Sequence, residues 1–423
     1  MRRKVDMDDE ERARMYPIIL SEYNPAWPEW YAEESEKLTR LIGSENIVRI
    51  SHIGSTSVPG LAAKPTVDIL LEIAEGIDAE KLATALPDDE YICLRQQTIP
   101  TYDRVLFLKG YIGSGFAEKV FHIHVRNPGD WDEIYFRDYL VSHPEAADAY
   151  ATLKRGLKEK YEFDRDGYTN AKSGYVEDIT KRARDIPERM GDFFAAHIDI
   201  YEYKMLRDAE GVAEGYIELA KHIPPGAQTL LDLGCGTGLE LEEVFRLYPG
   251  INVTGVDIAK PMLDRLAGKY YTKNISLICA SYLDYNFGEE QYDCAISFET
   301  MHHWAHETKT RLYKNIRRAL KNGGRYIECD YMVEKQSDED HWFSESRRVR
   351  ALHNIPDGEL YHLDTPCTVD NQIKMLVESG FTQVGMVWRM GATTIIVAEA
   401  LNTERTVPRP SVVVRALNCK CTH

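Results

Sequence analysis

Five short runs of strand-forming residues alternate with helical stretches between Thr229 and Asp330, and this alternation constrains the fold more than any other feature of the chain. The runs are Thr229–Leu233, Asn252–Val256, Ser276–Cys279, Tyr292–Ser297 and Arg325–Asp330. Strands that follow one another through a helix run parallel, and a parallel sheet is buried under helices on both faces. Two further runs, Gln383–Arg389 and Thr393–Ala398, are separated only by Met390, Gly391 and Ala392. So short a link forces an antiparallel hairpin, because a parallel crossover needs a dozen residues or more. The expected architecture is α/β, with a mostly parallel seven-stranded sheet carrying that hairpin at its edge.

A chain of 423 residues exceeds one ordinary core, so two domains are expected. The charged helical stretch from Glu177 to Arg184 meets Ile186 and Pro187, which places the division at 1–186 and 187–402, with a tail over 403–423. The first part reads as α+β. A helix runs over about Pro28–Leu41, followed by strands around Val48–Ile53, Thr66–Ile73, Arg104–Leu108 and Val120–Val125. Two amphipathic helices close it, the first carrying Tyr150, Leu153, Leu157 and Tyr161 at helical spacing.

The formal charge of −17 repels nucleic acid and makes a small molecule the better substrate class. No apolar run approaches the ~20 residues that span a bilayer. The N-terminus runs from Arg2, Arg3 and Lys4 into acidic residues, not an apolar signal core, so a cytoplasmic location is expected. The eight cysteines are scattered, mostly in strand-like apolar contexts, and read as reduced core residues. Cys419, Cys421 and His423 form an incomplete ligand set on a loose tail, so no metal is assigned there.

The chemistry concentrates in the turn after the first strand of the second part. Asp232-Leu233-Gly234-Cys235-Gly236-Thr237-Gly238 joins a buried strand to a helix, and its glycines let a ligand approach the backbone. The spacing is G-x-G-x-G. A dinucleotide fingerprint needs its third glycine at 239, which is Leu239, so pyrophosphate is disfavoured. Nineteen residues past Gly238, the second strand ends in Asp257, an acid placed to accept both hydroxyls of a ribose.

Across roughly Ile198 to Ala400 these features resemble the class I S-adenosylmethionine-dependent methyltransferase family. The resemblance implies that Gly234 to Gly238 lie against the methionine part of S-adenosylmethionine and that Asp257 holds its ribose. The implied cofactor set is Asp232, Gly234, Cys235, Gly236, Gly238, Asp257, Ile258, Ser281, Tyr282 and Ser297. That family often has an acid after its third strand for the adenine amine; here Ser281 stands there, with Asp284 three residues on.

Beyond the fourth strand, Ser297-Phe298-Glu299-Thr300-Met301-His302-His303-Trp304 runs toward the acceptor in that family. His302 or His303 is a candidate base, and Glu299 a candidate for orienting a polar acceptor. The bland alternative makes one His a helix cap and leaves the other solvated. The segment lacks the Asn/Asp-Pro-Pro-aromatic run of enzymes that methylate nucleic-acid bases. In the leading stretch Tyr201 to Leu206, Tyr203 and Met205 either close the pocket as a lid or belong to the core.

The first part carries a second resemblance. Tyr23-Asn24-Pro25-Ala26-Trp27-Pro28, the run from His52 to Ile69, Phe121-His122-Ile123-His124-Val125, Phe136 to Leu140, and His143-Pro144 together resemble the GrpB family over about residues 18–185. The resemblance implies a nucleotidyltransferase-like fold. Active members of that fold pair a Gly-Ser turn with two acids spaced D-x-D that share Mg²⁺. Gly54-Ser55 and Asp68 fit, but Leu70 occupies the partner position, and Glu72 lies ~13 Å along the strand from Asp68. One cation does not bridge that distance. His122 and His124 share a strand face. With Asp68, Lys64 and Ser55 they form a phosphate pocket, a divalent-cation site, or a hydrogen-bonded polar core.

The expected protein is therefore a methyltransferase acting on a small metabolite, with a first domain that binds a nucleotide or other phosphorylated ligand. Two alternatives make that domain an active nucleotidyltransferase, or an interaction module recruiting a protein or nucleic-acid acceptor.

Overall fold

Alternation along β2 (Val67–Ile73) and β5 (Gly115–Arg126), broken by the buried Leu70 and Val120, turns Asp68, His122 and His124 away from the apolar face of the first sheet. Val67, Ile69 and Leu71 pack with Phe121, Ile123 and Val125 beneath Trp27 and Leu38 of the helix Trp27–Ile42. The computed structural model describes residues 9–401 apart from 75, 78–81, 83, 98–102 and 208, so the Cys419–His423 tail lies outside the described residues. The chain divides into one compact unit ending at Ile186 and another beginning at Pro187.

In the first unit β1 (Ile47–Ile53), β2, β3 (Tyr91–Gln97), β4 (Asp103–Ile112) and β5 form one sheet in the order β1-β2-β5-β4-β3. Only the β2–β5 pair is parallel. β3 has no counterpart among the strands read from sequence: Tyr-Ile-Cys-Leu-Arg-Gln-Gln loses its apolar pattern halfway. Three helices, not two, follow β5: Asp132–Ser142, Pro144–Lys160 and Arg165–Arg184. Pro144 opens the second of them, where a missing N–H costs nothing, and so separates it from the first. Tyr161 is the residue after that helix and not part of its apolar stripe.

The second unit holds β6 (Thr229–Leu233), β7 (Asn252–Asp257), β8 (Ile275–Cys279), β9 (Tyr292–Phe298), β10 (Leu320–Tyr331), β11 (Thr382–Met390) and β12 (Thr393–Ala400). They form one sheet in the order β11-β12-β10-β9-β6-β7-β8. β12 is antiparallel to both β10 and β11, whereas the pairs from β10 to β8 are parallel. The hairpin thus forms as expected, but its second strand inserts next to β10 and leaves β11 at the edge, running with the parallel set. Both faces are buried: Leu231 and Leu233 point into one core, Leu230 into the other. Among the described residues no helix is long and apolar enough to cross a membrane.

Strand order reverses at β6, whose neighbours β7 and β9 are reached by crossovers on opposite sides. The carboxyl ends of strands at such a reversal leave a crevice between diverging loops.

Candidate functional site

A cavity occupies that crevice, and its wall includes Gly234, Gly236, Asp257, Ile258, Ser281, Tyr282, Glu299 and His303. Gly234 follows β6 with φ +70°, and a Cβ there would sit 2.6 Å from Thr300 Oγ1. Asp257 ends β7. Its Oδ2 accepts from the Gly236 N–H at 2.9 Å and its Oδ1 from the Ala259 N–H at 2.7 Å. Each oxygen therefore keeps a lone pair for a ligand. Burial raises the Asp257 carboxyl, and the backbone donors only partly oppose it.

Four residues of the expected cofactor set are absent from the cavity wall. Cys235 packs inward, its Sγ 2.8 Å from where a Gly255 Cβ would stand. Gly238 faces Leu266 of the helix Lys260–Lys269 and Tyr270 just after it, and Tyr270 Oη donates to its carbonyl at 2.9 Å. Ser297 shares a 2.7 Å hydrogen bond with Tyr326 inside the core. Asp232 is buried under the loop, where burial and then the neighbouring Glu240 raise its carboxyl well above the ordinary range. Glu240 itself is pushed up to about 7, first by burial. It opens the helix Glu240–Leu247, whose first turn also carries Glu242 and Glu243.

The other wall comes from residues that the motifs do not contain. Tyr201, on the helix Ile198–Arg207, reaches over Gly236, while Met205 packs in the core and Tyr203 is absent from the wall. Tyr201 thus takes the covering position expected of Tyr203 or Met205. Met190, Phe194 and Leu360 add apolar surface. Trp304 Nε1 donates to Tyr282 Oη at 2.5 Å, and Tyr282 shares a 2.8 Å hydrogen bond with Thr300 Oγ1.

The two adjacent histidines separate in role. His303 lines the cavity, whereas His302 turns behind it and donates from Nδ1 to Asp330 Oδ1 at 2.6 Å. Burial alone would depress His302, but Asp330, Asp364 and Glu299 outweigh it and raise it to about 9. Burial and then the charge of His302 lower His303, so it is neutral at pH 7. His303 Nδ1 and Asp364 Oδ1 face each other at 3.2 Å. Glu299 holds a left-handed backbone at φ +46°, which side chains rarely adopt. Burial first, then Asp330, pushes its carboxyl up to about 8, and its Oε1 has no partner.

This cluster ties stability to pH. His302 and Glu299 bind protons more tightly in the folded chain than when unfolded, so their contribution is complete in acid and is lost as pH rises through about 8 and 9. Thermal melts of wild type and His302→Gln at pH 6.5 and 9 are expected to show a smaller alkaline loss in the variant, by at least ~1 kcal/mol.

In the first unit the β2–β5 register sets Asp68 beside His122, with His124 two residues further along the same face. Asp68 Oδ1 lies 3.3 Å from His122 Nδ1 and 3.4 Å from His124 Nε2. Burial would raise the Asp68 carboxyl, but the two histidines outweigh it and hold it below the usual range. Gly54, at φ +71°, is required there because a Cβ would stand 2.6 Å from Asp68 Oδ2. Lys154 Nζ donates to Ser55 Oγ at 3.1 Å. Glu72 is fully buried and committed elsewhere: Arg49 Nη2 and the Gly129 N–H donate to it at 3.0 and 2.9 Å.

Sheet order, glycine turn and crevice together define a Rossmann-like methyltransferase domain, and residues 230–324 match the family model described as a methyltransferase domain. Residues 17–182 match the model of the GrpB protein family. A UPF0157 protein of Pseudomonas aeruginosa is 36% identical over 176 residues, covering 41% of this chain and 69% of its own. Through its first unit, the chain belongs to the GrpB family. The crystal structure of the conserved protein GrpB from Enterococcus faecalis is 31% identical, covering 39% of this chain and 96% of its own, with a TM-score of 0.35. The structure of PigF with SAH is 17% identical, covering 64% and 74% of the two chains, with a TM-score of 0.39.

Proposed function

We propose that the second unit is an S-adenosylmethionine-dependent methyltransferase acting on a small-molecule acceptor. The sign of the crevice carries this reading. Its described wall holds the Asp257 carboxyl and no Lys or Arg. The helix leaving the glycine turn opens with three glutamates. A pyrophosphate would be repelled by both, while a ligand bearing a sulfonium and an ammonium is attracted. Gly234 and Gly236 keep side chains out of the ligand's path, and the spare lone pairs of Asp257 suit two neighbouring ribose hydroxyls. Phe194, Tyr201, Phe298 and Trp304 offer aromatic surface to the cationic sulfur.

When bound, S-adenosylmethionine would supply an electrophilic methyl whose carbon an aligned nucleophile attacks, S-adenosylhomocysteine leaving with the electron pair of the broken C–S bond. Neutral His303 is on the wall to take the acceptor's proton, and Asp364 beside it stabilises the resulting cation. His302 acts through position: protonated and held by Asp330, it keeps His303 neutral in the resting state. Protonated Glu299 offers a hydrogen bond to a polar acceptor.

Calorimetry of the full chain with S-adenosylhomocysteine tests the cofactor, with saturable binding expected and the absence of heat fatal to the reading. Labelled S-adenosylmethionine incubated with metabolite extracts tests the acceptor class. Label appearing in nucleic acid or protein, and not in small molecules, would remove that part.

A further inference from the structure

The polar face of the first sheet gathers more positive charge than the fold neutralises. Lys154, 2% exposed, donates to Ser55 and to the Ala62 carbonyl. Lys64, in the loop before β2, and Lys172, on the helix Arg165–Arg184, stand 5.2 and 5.6 Å from the centroid of one ring, Tyr168. Among the described residues neither lysine forms an ion pair. Arg165 Nη2 lies 3.4 Å from Tyr111 Oη, which is hydrogen-bonded to His122 Nε2 at 2.7 Å. Lys64 and Arg165 also line a small cavity with Thr66 and Phe116.

The acid that acts electrostatically on Lys64 and Lys172 is Asp68, already engaged by His122 and His124. Four cations around one committed carboxylate repel one another, and in a partly buried site that repulsion is screened little. Burial first, then these neighbours, pushes Lys64 and Lys154 down to about 7. An arriving multivalent anion relieves the strain. Lysine point charges beside a forked guanidinium are the donor set that phosphate groups take.

We propose that the first unit binds a phosphorylated small molecule, its phosphates held by Lys64, Lys154, Lys172 and Arg165 beside the Asp68-His122-His124 set. A small ligand is favoured over a polynucleotide because the chain's net charge of −17 opposes the latter. Binding without nucleotidyl transfer follows from the missing second acid: Leu70 stands in its place, and Glu72 is tied to Arg49.

Calorimetry of the full chain in chelator, with pyrophosphate, ATP and adenosine as probes, tests this. Pyrophosphate and ATP are expected to bind and adenosine not to. Lys64→Met and Lys172→Met, checked by thermal melts, are each expected to weaken binding by at least ~10-fold. Equal affinities for the two phosphates assign the interaction to phosphate contacts; tighter ATP adds a nucleoside contact, and both outcomes support the site. A readout on wild type alone avoids any folding defect. Lys64 faces Lys172, Arg165 and Asp68, and Lys154 faces Lys172, Arg155 and Lys64, so both are largely uncharged at pH 8 when free. ATP binding at pH 8 should then take up protons, measured in buffers of different ionisation enthalpy. Binding of neither phosphate, binding that both variants leave intact, or binding without proton uptake overturns the proposal.

Discussion

Asp257→Ala is expected to weaken S-adenosylhomocysteine binding by ~2–3 kcal/mol, roughly 30- to 150-fold. Two effects add. The variant removes both acceptors offered to the ribose hydroxyls, and it releases the Gly236 and Ala259 N–H groups that the carboxylate now holds at 2.9 and 2.7 Å. The glycine turn would lose the bond that shapes it as well as its ligand partner. Asp257→Asn is expected to fall between wild type and Asp257→Ala, because its amide oxygen still accepts one backbone N–H and one hydroxyl while its NH₂ accepts neither of the other pair. Calorimetry on wild type and both variants, with melts to confirm folding, gives the answer. Undiminished affinity in folded Asp257→Ala would remove the ribose assignment and the cofactor reading built on it.

His303→Gln is expected to lower methyl transfer ~10²- to 10⁴-fold while leaving S-adenosylhomocysteine affinity nearly unchanged. The effect is large because the acceptor's proton has few other destinations on the described wall. Asp257 holds backbone donors and is assigned to the ribose hydroxyls, Glu299 is protonated up to about pH 8, and His302 faces Asp330. The acceptor found in the metabolite screen supplies the assay. A pH–rate profile adds a readout that mere misfolding does not move: the wild-type acid limb should follow His303 and vanish in the variant. Full activity in His303→Gln would leave transfer to depend on alignment alone.

The cofactor side of the crevice was legible because its determinants are local. Gly234 and Asp257 each close a strand, and their backbone shape follows from the few residues around them. Asp68, His122 and His124 were legible for a similar reason, since alternation along two strands puts them on one face. Tyr201, Phe194, Leu360 and Asp364 carry no motif: they reach the cavity from before β6 and after β10, and nothing in their own neighbourhoods announces it. Lys154, Lys172 and Arg165 likewise read as ordinary charged positions on helices until the chain brings those helices over the sheet.

Residue order alone specifies the period of each element, the parallel sheet with its terminal hairpin, and the glycine turn facing an acid, because these depend on near neighbours. Packing decides the rest. It inserts β12 beside β10, turns Ser297 and Cys235 into the core, and sends adjacent histidines to different partners. Electrostatics in a buried site depends on distances between groups far apart in the chain, so only the folded molecule sets which of those histidines is charged and which stays free to accept a proton.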